Sequence, residues 1–206
     1  MRKILLFLML FAALATAQEG AGEKKPLRGG FYFDLSLGAV IRHLEADYKT
    51  YLDNNYKDQY LGYTGQGGLV STRFGGIIRG TVAIYGNIKL EITSGQNSGW
   101  KKDTRPTQSF FISNGPGVTV FPLSHSDGYF RNWYIGSTGN ITLGGGGDIG
   151  FFGFSATFET GLLWDTSERY CSGFAIGTDV VGTAGLNDYY NEKGKSVWIA
   201  FKLIRK

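Results

Sequence analysis

One segment of this 206-residue chain restricts its possible folds more than any other: residues 81–93, with the sequence T-V-A-I-Y-G-N-I-K-L-E-I-T. Every second residue from Val82 to Ile92 is apolar or small, whereas the alternate residues from Tyr85 onward are polar and include Lys89 and Glu91. Because side chains alternate between the two faces of a strand, this segment has one apolar face and one polar face. It exceeds the roughly 5–6 residues of an ordinary strand and reaches the about 9–11 residues needed to cross a bilayer. The segment therefore predicts a membrane-crossing β-strand.

The first 17 residues have the layout of a secretory signal peptide. The basic residues Arg2 and Lys3 precede an apolar run over residues 4–14, and residues 15–17 (Ala-Thr-Ala) form a small-x-small cleavage site. The apolar run is too short to span a bilayer as a helix. We therefore predict export of the chain and cleavage after Ala17.

Composition excludes several classes of protein. Loss of the two basic signal residues lowers the net charge from +4 to +2, which is too small to predict nucleic-acid binding. Cys171 is the single cysteine, so the chain cannot form an internal disulfide. No segment after the signal is apolar enough for a transmembrane helix, so the chain can span a membrane only as a closed sheet. We expect a polar periplasmic lead-in over residues 18–30 and a single outer-membrane barrel domain over residues 31–206.

Alternating patterns predict eight antiparallel strands joined by hairpins. They lie at residues 31–43, 69–79, 81–93, 107–121, 132–143, 149–165, 173–184 and 196–204. Residues 114–117 (Asn-Gly-Pro-Gly) interrupt the fourth strand and predict a bulge or kink there, so ten shorter strands remain possible. An even number of hairpin-connected strands predicts an all-β fold, a closed antiparallel up-and-down transmembrane β-barrel.

The connections predict the orientation of this barrel. The longer polar loops all join strands at one end: residues 44–65, 94–106 and 186–195. In membrane barrels the long loops face outward and the short turns face the periplasm, so both chain ends are expected in the periplasm. On this topology Phe31, Trp133 and Trp164 lie at the periplasmic end and face lipid, where an aromatic girdle belongs.

The same alternation also fits a soluble binding barrel of the lipocalin type, with its apolar side chains inside. Two observations favour the membrane barrel. The polar faces consist mostly of Ser, Thr, Gly and Asn, which suit a narrow lumen better than a water-exposed surface. In addition, the strand at residues 149–165 carries Phe152, Phe154, Phe158 and Trp164 on one face, which is more bulk than an eight-stranded interior readily holds.

Residues 194–201 (G-K-S-V-W-I-A-F) look like the Gly-x-x-hydrophobic-x-hydrophobic core of the signal read by the barrel-assembly machinery, although the chain continues to Lys206 instead of ending on an aromatic residue. In pattern, the whole mature chain resembles the small, porin-like outer-membrane barrels of the OmpA/OmpX and opacity-protein type. This resemblance implies an outer-membrane location, contact with membrane lipid and a surface or structural role without enzymatic chemistry. Some members of this group are adhesins or lipid-modifying enzymes, so an outer-membrane lipid-modifying enzyme is an alternative.

Nine charged residues are predicted to point into the lumen: Asp34, Arg42, Arg73, Arg79, Lys89, Glu91, Glu159, Asp179 and Lys202. Buried charges need partners, and the near balance of five basic and four acidic residues predicts a network of ion pairs. We expect Asp34 to pair with Lys202. Glu159 and Asp179 come close on adjacent strands and need a cation, with Arg73 or Lys89 as the candidates, unless the two carboxyls form an acid–base pair. An eight-stranded lumen is just wide enough for side chains to fill, which predicts a plugged barrel with little or no stable conductance.

Residues 124–127 (Ser-His-Ser-Asp) contain the side chains used in nucleophilic catalysis. Residues this close in a turn rarely form the required chain of hydrogen bonds, so we interpret them as a solvated turn. The glycines at residues 144–147 lack the Lys-Ser/Thr ending and the following helix of a phosphate-binding loop. We therefore predict no catalytic residue, no cofactor and no metal site.

The outer loop at residues 44–65 is the best candidate for a binding surface. It contains five tyrosines: Tyr48, Tyr51, Tyr56, Tyr60 and Tyr63. Tyrosine supplies large, rigid contact area with a polar tip, which suits an extracellular carbohydrate or a partner protein. Packing of these rings against one another and against the barrel rim is the alternative.

Overall fold

The computed structural model describes residues 30–52, 55–99, 107–146, 149–167, 170–182 and 190–205. The strands are β1 (Gly30–Leu52), β2 (Asn55–Ile78), β3 (Val82–Gly99), β4 (Thr107–Val120), β5 (Trp133–Gly146), β6 (Ile149–Asp165), β7 (Tyr170–Gly182) and β8 (Tyr190–Arg205), with a short 3₁₀ turn at Tyr129–Asn132. Each strand pairs antiparallel with the next, and β8 pairs with β1, so the sheet closes into an eight-stranded barrel. We call the end that holds Gly30 and Arg205 the turn end, and the opposite end the loop end.

The barrel is apolar outside and polar inside. The outward side chains of Phe154 and Ile88 are 60% and 50% exposed, whereas the inward side chains of Lys89, Glu91 and Glu159 are 4%, 1% and 5% exposed. An outer surface of this kind is the apolar band of a membrane-spanning barrel, which contacts hydrocarbon. A lipocalin-like barrel would have the opposite arrangement, with its large apolar side chains enclosed.

In the described ranges, we find no helix with the length and apolarity to cross a membrane. The predicted signal peptide (1–17) and most of the predicted lead-in (18–29) lie outside the described residues. The same holds for residues 100–106 and 186–189, which belong to two of the predicted outer loops, and for residues 183–184, the predicted end of the seventh strand.

Several strands continue past their predicted bounds toward the loop end. Residues 44–52 and 55–63 pair with each other as an extended hairpin, so the prediction of an irregular loop over residues 44–65 was wrong. The sequence misled because this hairpin rises beyond the apolar band. Residues 44–65 are mostly polar and lack the apolar–polar alternation that marks a membrane-crossing strand. β3 and β8 are longer than predicted at the same end, reaching Gly99 and beginning at Tyr190.

The fourth strand is continuous, and the bulge predicted at residues 114–117 does not form. β4 pairs with β3 without interruption through these residues. On the side of β5, the pairing is interrupted at residues 115 and 116. Asn114 pairs with Ile141 and Gly117 with Thr138, so the register is the same before and after this interruption. Pro116 has no N–H group and interrupts this ladder without inserting a residue. The barrel accordingly has eight strands and not ten.

The turn between β2 and β3 follows from the dipeptide Arg79-Gly80. These residues have φ values of 49° and 67°, and the N–H of Thr81 donates a hydrogen bond to the carbonyl oxygen of Ile78 at 3.0 Å. Two consecutive positive φ values are typical of the type I′ turn, whose twist matches that of a hairpin. Arg79 is therefore exposed in a turn, and the prediction that it points into the lumen was wrong.

Gly75 and Gly86 permit a matched test of this packing. A methyl group at Gly75 would lie 2.0 Å from the carbonyl oxygen of Ile84, a backbone atom of the adjacent strand, whereas a methyl group at Gly86 would meet no atom within 4 Å. We expect Gly75→Ala to lower the free energy of unfolding by about 1–3 kcal/mol through overpacking, and Gly86→Ala to leave it unchanged. Urea unfolding of both variants in the same detergent micelles measures the difference. Equal stabilities would contradict the close approach of β2 and β3.

Candidate functional site

Four charged side chains form an ion-pair cluster in the half of the lumen nearer the turn end: Asp34, Arg73, Glu159 and Lys202. Arg73 binds both carboxylate oxygens of Glu159, with Nη2 2.7 Å from Oε2, and its Nη1 lies 3.2 Å from Oδ2 of Asp34. Lys202 Nζ donates to Asp34 Oδ2 at 2.6 Å and to Glu159 Oε1 at 3.0 Å. All four residues are buried, and two cations face two carboxylates. The turn-end cluster is therefore neutral.

Aromatic rings surround the turn-end cluster. The guanidinium of Arg73 lies 5.0 Å from the centre of the Tyr85 ring, and Lys202 Nζ lies 5.3 Å from the centre of the Tyr134 ring. Tyr32 stacks on Tyr85 at 5.5 Å between ring centres. Cations over ring faces gain a favourable interaction, and the rings occupy the space that the charged groups leave. The lumen is thus filled at this level by side chains.

A second cluster lies nearer the loop end: Arg42, Lys89, Glu91 and Asp179. Arg42 donates from Nε to Glu91 Oε2 at 2.9 Å, and its Nη2 contacts the same oxygen. Lys89 Nζ lies 2.9 Å from Glu91 Oε1 and 2.5 Å from Asp179 Oδ1, so it joins the two carboxylates. Asp179 also accepts a hydrogen bond from Ser196 Oγ at 2.6 Å. This loop-end cluster again contains two cations and two carboxylates.

Eight of the nine charged residues predicted to face the lumen lie in these two clusters, and the ninth, Arg79, lies in the β2–β3 turn. Asp34 and Lys202 form the expected pair. Glu159 and Asp179 do not share a cation, since each is neutralised in a different cluster. Arg42 was predicted to point inward, but its partner was missed, because that carboxylate lies two strands away and approaches only across the closed lumen.

Uncharged polar side chains hydrogen-bond across the remaining lumen. Asn87 accepts from Ser71 Oγ at 2.9 Å and donates from Nδ2 to Asn140 Oδ1 at 3.2 Å, which links β2, β3 and β5. The hydroxyls of Thr142 and Ser155 lie 2.7 Å apart. Such contacts satisfy buried polar groups without water, as a narrow lumen requires.

Tyr63 was predicted to belong to an exposed loop, and the structure corrects this. Its side chain is fully buried inside the barrel, where the hydroxyl lies 2.9 Å from Thr93 Oγ1 and accepts from Ser109 Oγ at 3.2 Å. Its position along β2 turns it inward, because strand alternation continues past the predicted strand start. The other four tyrosines lie in the β1–β2 hairpin, and their side chains lie outside the described part of the chain: Tyr48, Tyr51, Tyr56 and Tyr60.

The three residues of the predicted aromatic girdle all face outward near the turn end. Phe31 and Trp164 are exposed, and Trp133 donates its indole N–H to Thr160 Oγ1 at 2.9 Å. The guanidinium of Arg205 lies 5.8 Å from the centre of the Phe31 ring. An amphipathic ring beside a basic residue suits a membrane–water boundary.

The Ser-His-Ser-Asp turn does not assemble the geometry of a catalytic triad. His125 Nε2 and Ser124 Oγ both lie near the hydroxyl of Thr81, at 3.2 Å and 3.1 Å, so the histidine does not activate the serine. A triad requires the nucleophile, the base and the acid in one chain of hydrogen bonds. Among the described residues, no group of His, Cys, Asp and Glu side chains could hold a metal ion.

A small charged group lies on the outward face of β1 and β8, just above the apolar band at the loop end. His43 contacts Thr64 Oγ1 through Nδ1 at 2.8 Å and Glu45 Oε1 through Nε2 at 3.0 Å. Lys193 Nζ lies 3.3 Å from Glu45 Oε2. Hydrogen bonds from His43 and Lys193 lower the pKa of the Glu45 carboxyl, so it is ionised at neutral pH.

No family model matches the chain, and no characterised protein matches it in sequence. Among solved structures, it is similar to OprG of Pseudomonas aeruginosa, with 7% identity and a TM-score of 0.46 over 83% of this chain and 95% of that one. Ail of Yersinia pestis, solved with the heparin analogue sucrose octasulfate, has 11% identity and a TM-score of 0.39 over 85% and 99%. The outer-membrane protease OmpT of Escherichia coli has 8% identity and a TM-score of 0.36 over 85% and 96%. At these identities the likeness does not extend to function.

Proposed function

We propose that this protein is a non-catalytic outer-membrane protein with a closed lumen and a structural or surface-interaction role. The export signal and the apolar outer band support an outer-membrane location. Residues 194–201 would then be read by the barrel-assembly machinery. The loop end, where β1 and β2 extend furthest beyond the other strands, would face the outside of the cell.

The observation that carries this proposal is the pair of neutral ion-pair clusters that fill the lumen. Each of Arg73, Lys89 and Lys202 contacts two carboxylates, and all three side chains are buried. Opening a pore would separate these charges in a region with little water, which costs several kcal/mol per ion. Transport of ions or solutes through the lumen is therefore disfavoured.

We expect purified protein in planar bilayers to show no steady conductance at neutral pH. Each carboxylate of the two clusters contacts a buried cation, and separating these charges is costly. Single-channel recording is the measurement, with a large porin in the same bilayers as the positive control. A stable ohmic pore of nanosiemens size would contradict a closed lumen.

The β1–β2 hairpin is the part of the protein best suited to contact an extracellular partner. It extends past the last β1–β8 pair, Tyr48 opposite Tyr190, and past the last β2–β3 pair, Leu61 opposite Gly99. Four tyrosines occur along it, with Tyr51 directly opposite Tyr56 in the register. Tyrosine side chains on a two-stranded ribbon provide large contact area at a low entropic cost. The ligand that such a ribbon would bind is a carbohydrate or the surface of a protein.

Shortening this hairpin tests the binding role. Thr50 pairs with Lys57, two pairs from the Leu52–Asn55 pair that ends the hairpin ladder, so replacing residues 51–56 by Asn-Gly keeps the register and closes a two-residue turn on a pair of the same type. We expect cells producing the shortened protein to lose adhesion to immobilised glycans and extracellular-matrix proteins, down to the level of cells without the protein. Tyr63→Phe, which changes a tyrosine inside the lumen, is the matched control and keeps adhesion. Undiminished adhesion of the shortened protein would contradict the proposed surface.

A further inference from the structure

Among the residues whose side chains the structure describes, the charged ones just above the apolar band lie on one side of the barrel. The charged residues all lie on β1 and β8: His43, Glu45, Lys193 and Lys195. The outward residues at the same end of β2, β3 and β4 are uncharged: Thr64, Gln66, Ser94, Gln96, Ser98 and Gln108. These four charged side chains form one patch on two adjacent strands, which we call the rim patch.

Within this rim patch, Lys195 is the cation without an ion-pair partner among the described residues. The carboxylate of Glu45 contacts His43 and Lys193 instead. Lys195 lies directly opposite His43 in the β1–β8 register and is exposed. It occupies the outward position between Lys193 and Val197, and the Val197 side chain is 64% exposed on the apolar band. Lys195 thus lies at the boundary between hydrocarbon and the polar layer of the membrane.

We propose that Lys195 and Lys193, with His43 beside them, bind a phosphate group of an anionic lipid in the membrane leaflet at the loop end. The proposal rests on the outer-membrane location argued above. Lysine suits this position because its aliphatic stem can lie along apolar surface while the ammonium reaches the headgroup layer. Phosphate is the group expected there, since it carries the negative charge of lipids at that depth and a lysine binds it as a point charge. Each basic residue near an anionic surface strengthens binding about fivefold.

Native mass spectrometry of the full chain in detergent micelles tests this site, with lipid A carrying two phosphates as the probe. We expect binding of this lipid and about fivefold weaker binding by Lys195→Gln, with about 25-fold weaker binding by the double variant Lys193→Gln/Lys195→Gln. Lys195→Arg retains the charge and keeps the affinity. Arg205→Gln, an outward basic residue at the turn end, is the matched control and leaves it unchanged. Circular dichroism verifies that each variant is folded.

Two further probes separate the sources of the phosphate. Lipid A without its phosphates is expected to bind no more tightly to the parent protein than to the double variant, and inorganic phosphate alone is expected not to bind. Equal affinity of Lys195→Gln and the parent protein would overturn the site, and tight binding of inorganic phosphate would overturn its assignment to lipid. A steady pore in planar bilayers would contradict the proposed closed lumen but would not change these binding results, so the two proposals can fail separately.

Discussion

Replacing Lys202 with methionine is expected to lower the free energy of unfolding by about 3–5 kcal/mol, the usual cost of removing one partner from a buried ion pair. Lys202 is fully buried, and its Nζ contacts both Asp34 and Glu159. In the variant these two carboxylates share Arg73 as their only cation in the turn-end cluster, so one negative charge in a lumen without bulk water loses its partner. Urea unfolding in detergent micelles, followed by intrinsic tryptophan fluorescence, measures the loss.

A second substitution shows whether charge balance is the cause. In Lys202→Met/Asp34→Asn one negative charge is removed as well, and the pair of Arg73 and Glu159 remains neutral. We expect this double variant to regain most of the stability, because replacing a buried ion pair by uncharged groups is often neutral. Lys193→Met, at an exposed ion pair on the rim, should cost less than about 1 kcal/mol. A single Lys202 variant as stable as the parent, or a double variant no better than the single one, would contradict a tightly coupled cluster.

Placing an arginine at Ile88 is expected to destabilise the barrel in lipid vesicles by about 2–4 kcal/mol, the cost of a basic residue on the lipid face at the bilayer midplane. Ile88 points outward in the middle of the apolar run of β3, between Val82 and Ile92, and half of its side chain is exposed. In a barrel that stood in water, the same substitution would place a charge on a solvated surface at almost no cost. The measurement is reversible urea unfolding from vesicles, with folded and unfolded forms separated on gels.

Ser94→Arg provides the matched control for this experiment. Ser94 points outward on the same strand but lies above the apolar band, where an arginine costs only about 0–1 kcal/mol. The difference between the two variants therefore reports the depth of each residue in the bilayer. Equal stability of Ile88→Arg and Ser94→Arg would contradict the membrane-spanning orientation of the barrel.

Strand alternation let much of the fold be predicted before any tertiary contact was known. β6 was predicted at residues 149–165 and the structure has it at Ile149–Asp165, because lipid on one side and the lumen on the other impose a two-residue period along most of its length. The same signal failed at residues 44–65. There the hairpin of β1 and β2 pairs beyond the apolar band, and its polar residues look like a loop although the backbone is regular.

The division between sequence and tertiary structure is clearest in the lumen. Alternation along each strand determined by itself that Asp34, Lys89, Glu91 and Glu159 lie on the polar face, since the face of a strand residue depends only on its parity. The small residues of that face and the bulk of the opposite one favoured the lumen as its location. Which cation meets which carboxylate was decided by barrel closure. Arg42 on β1 reaches Glu91 on β3 because strand tilt and stagger bring residues far apart in sequence to one level of the lumen. The number and sign of the interior charges follow from the sequence. The ion pairs between them form only when β8 pairs with β1 and closes the barrel.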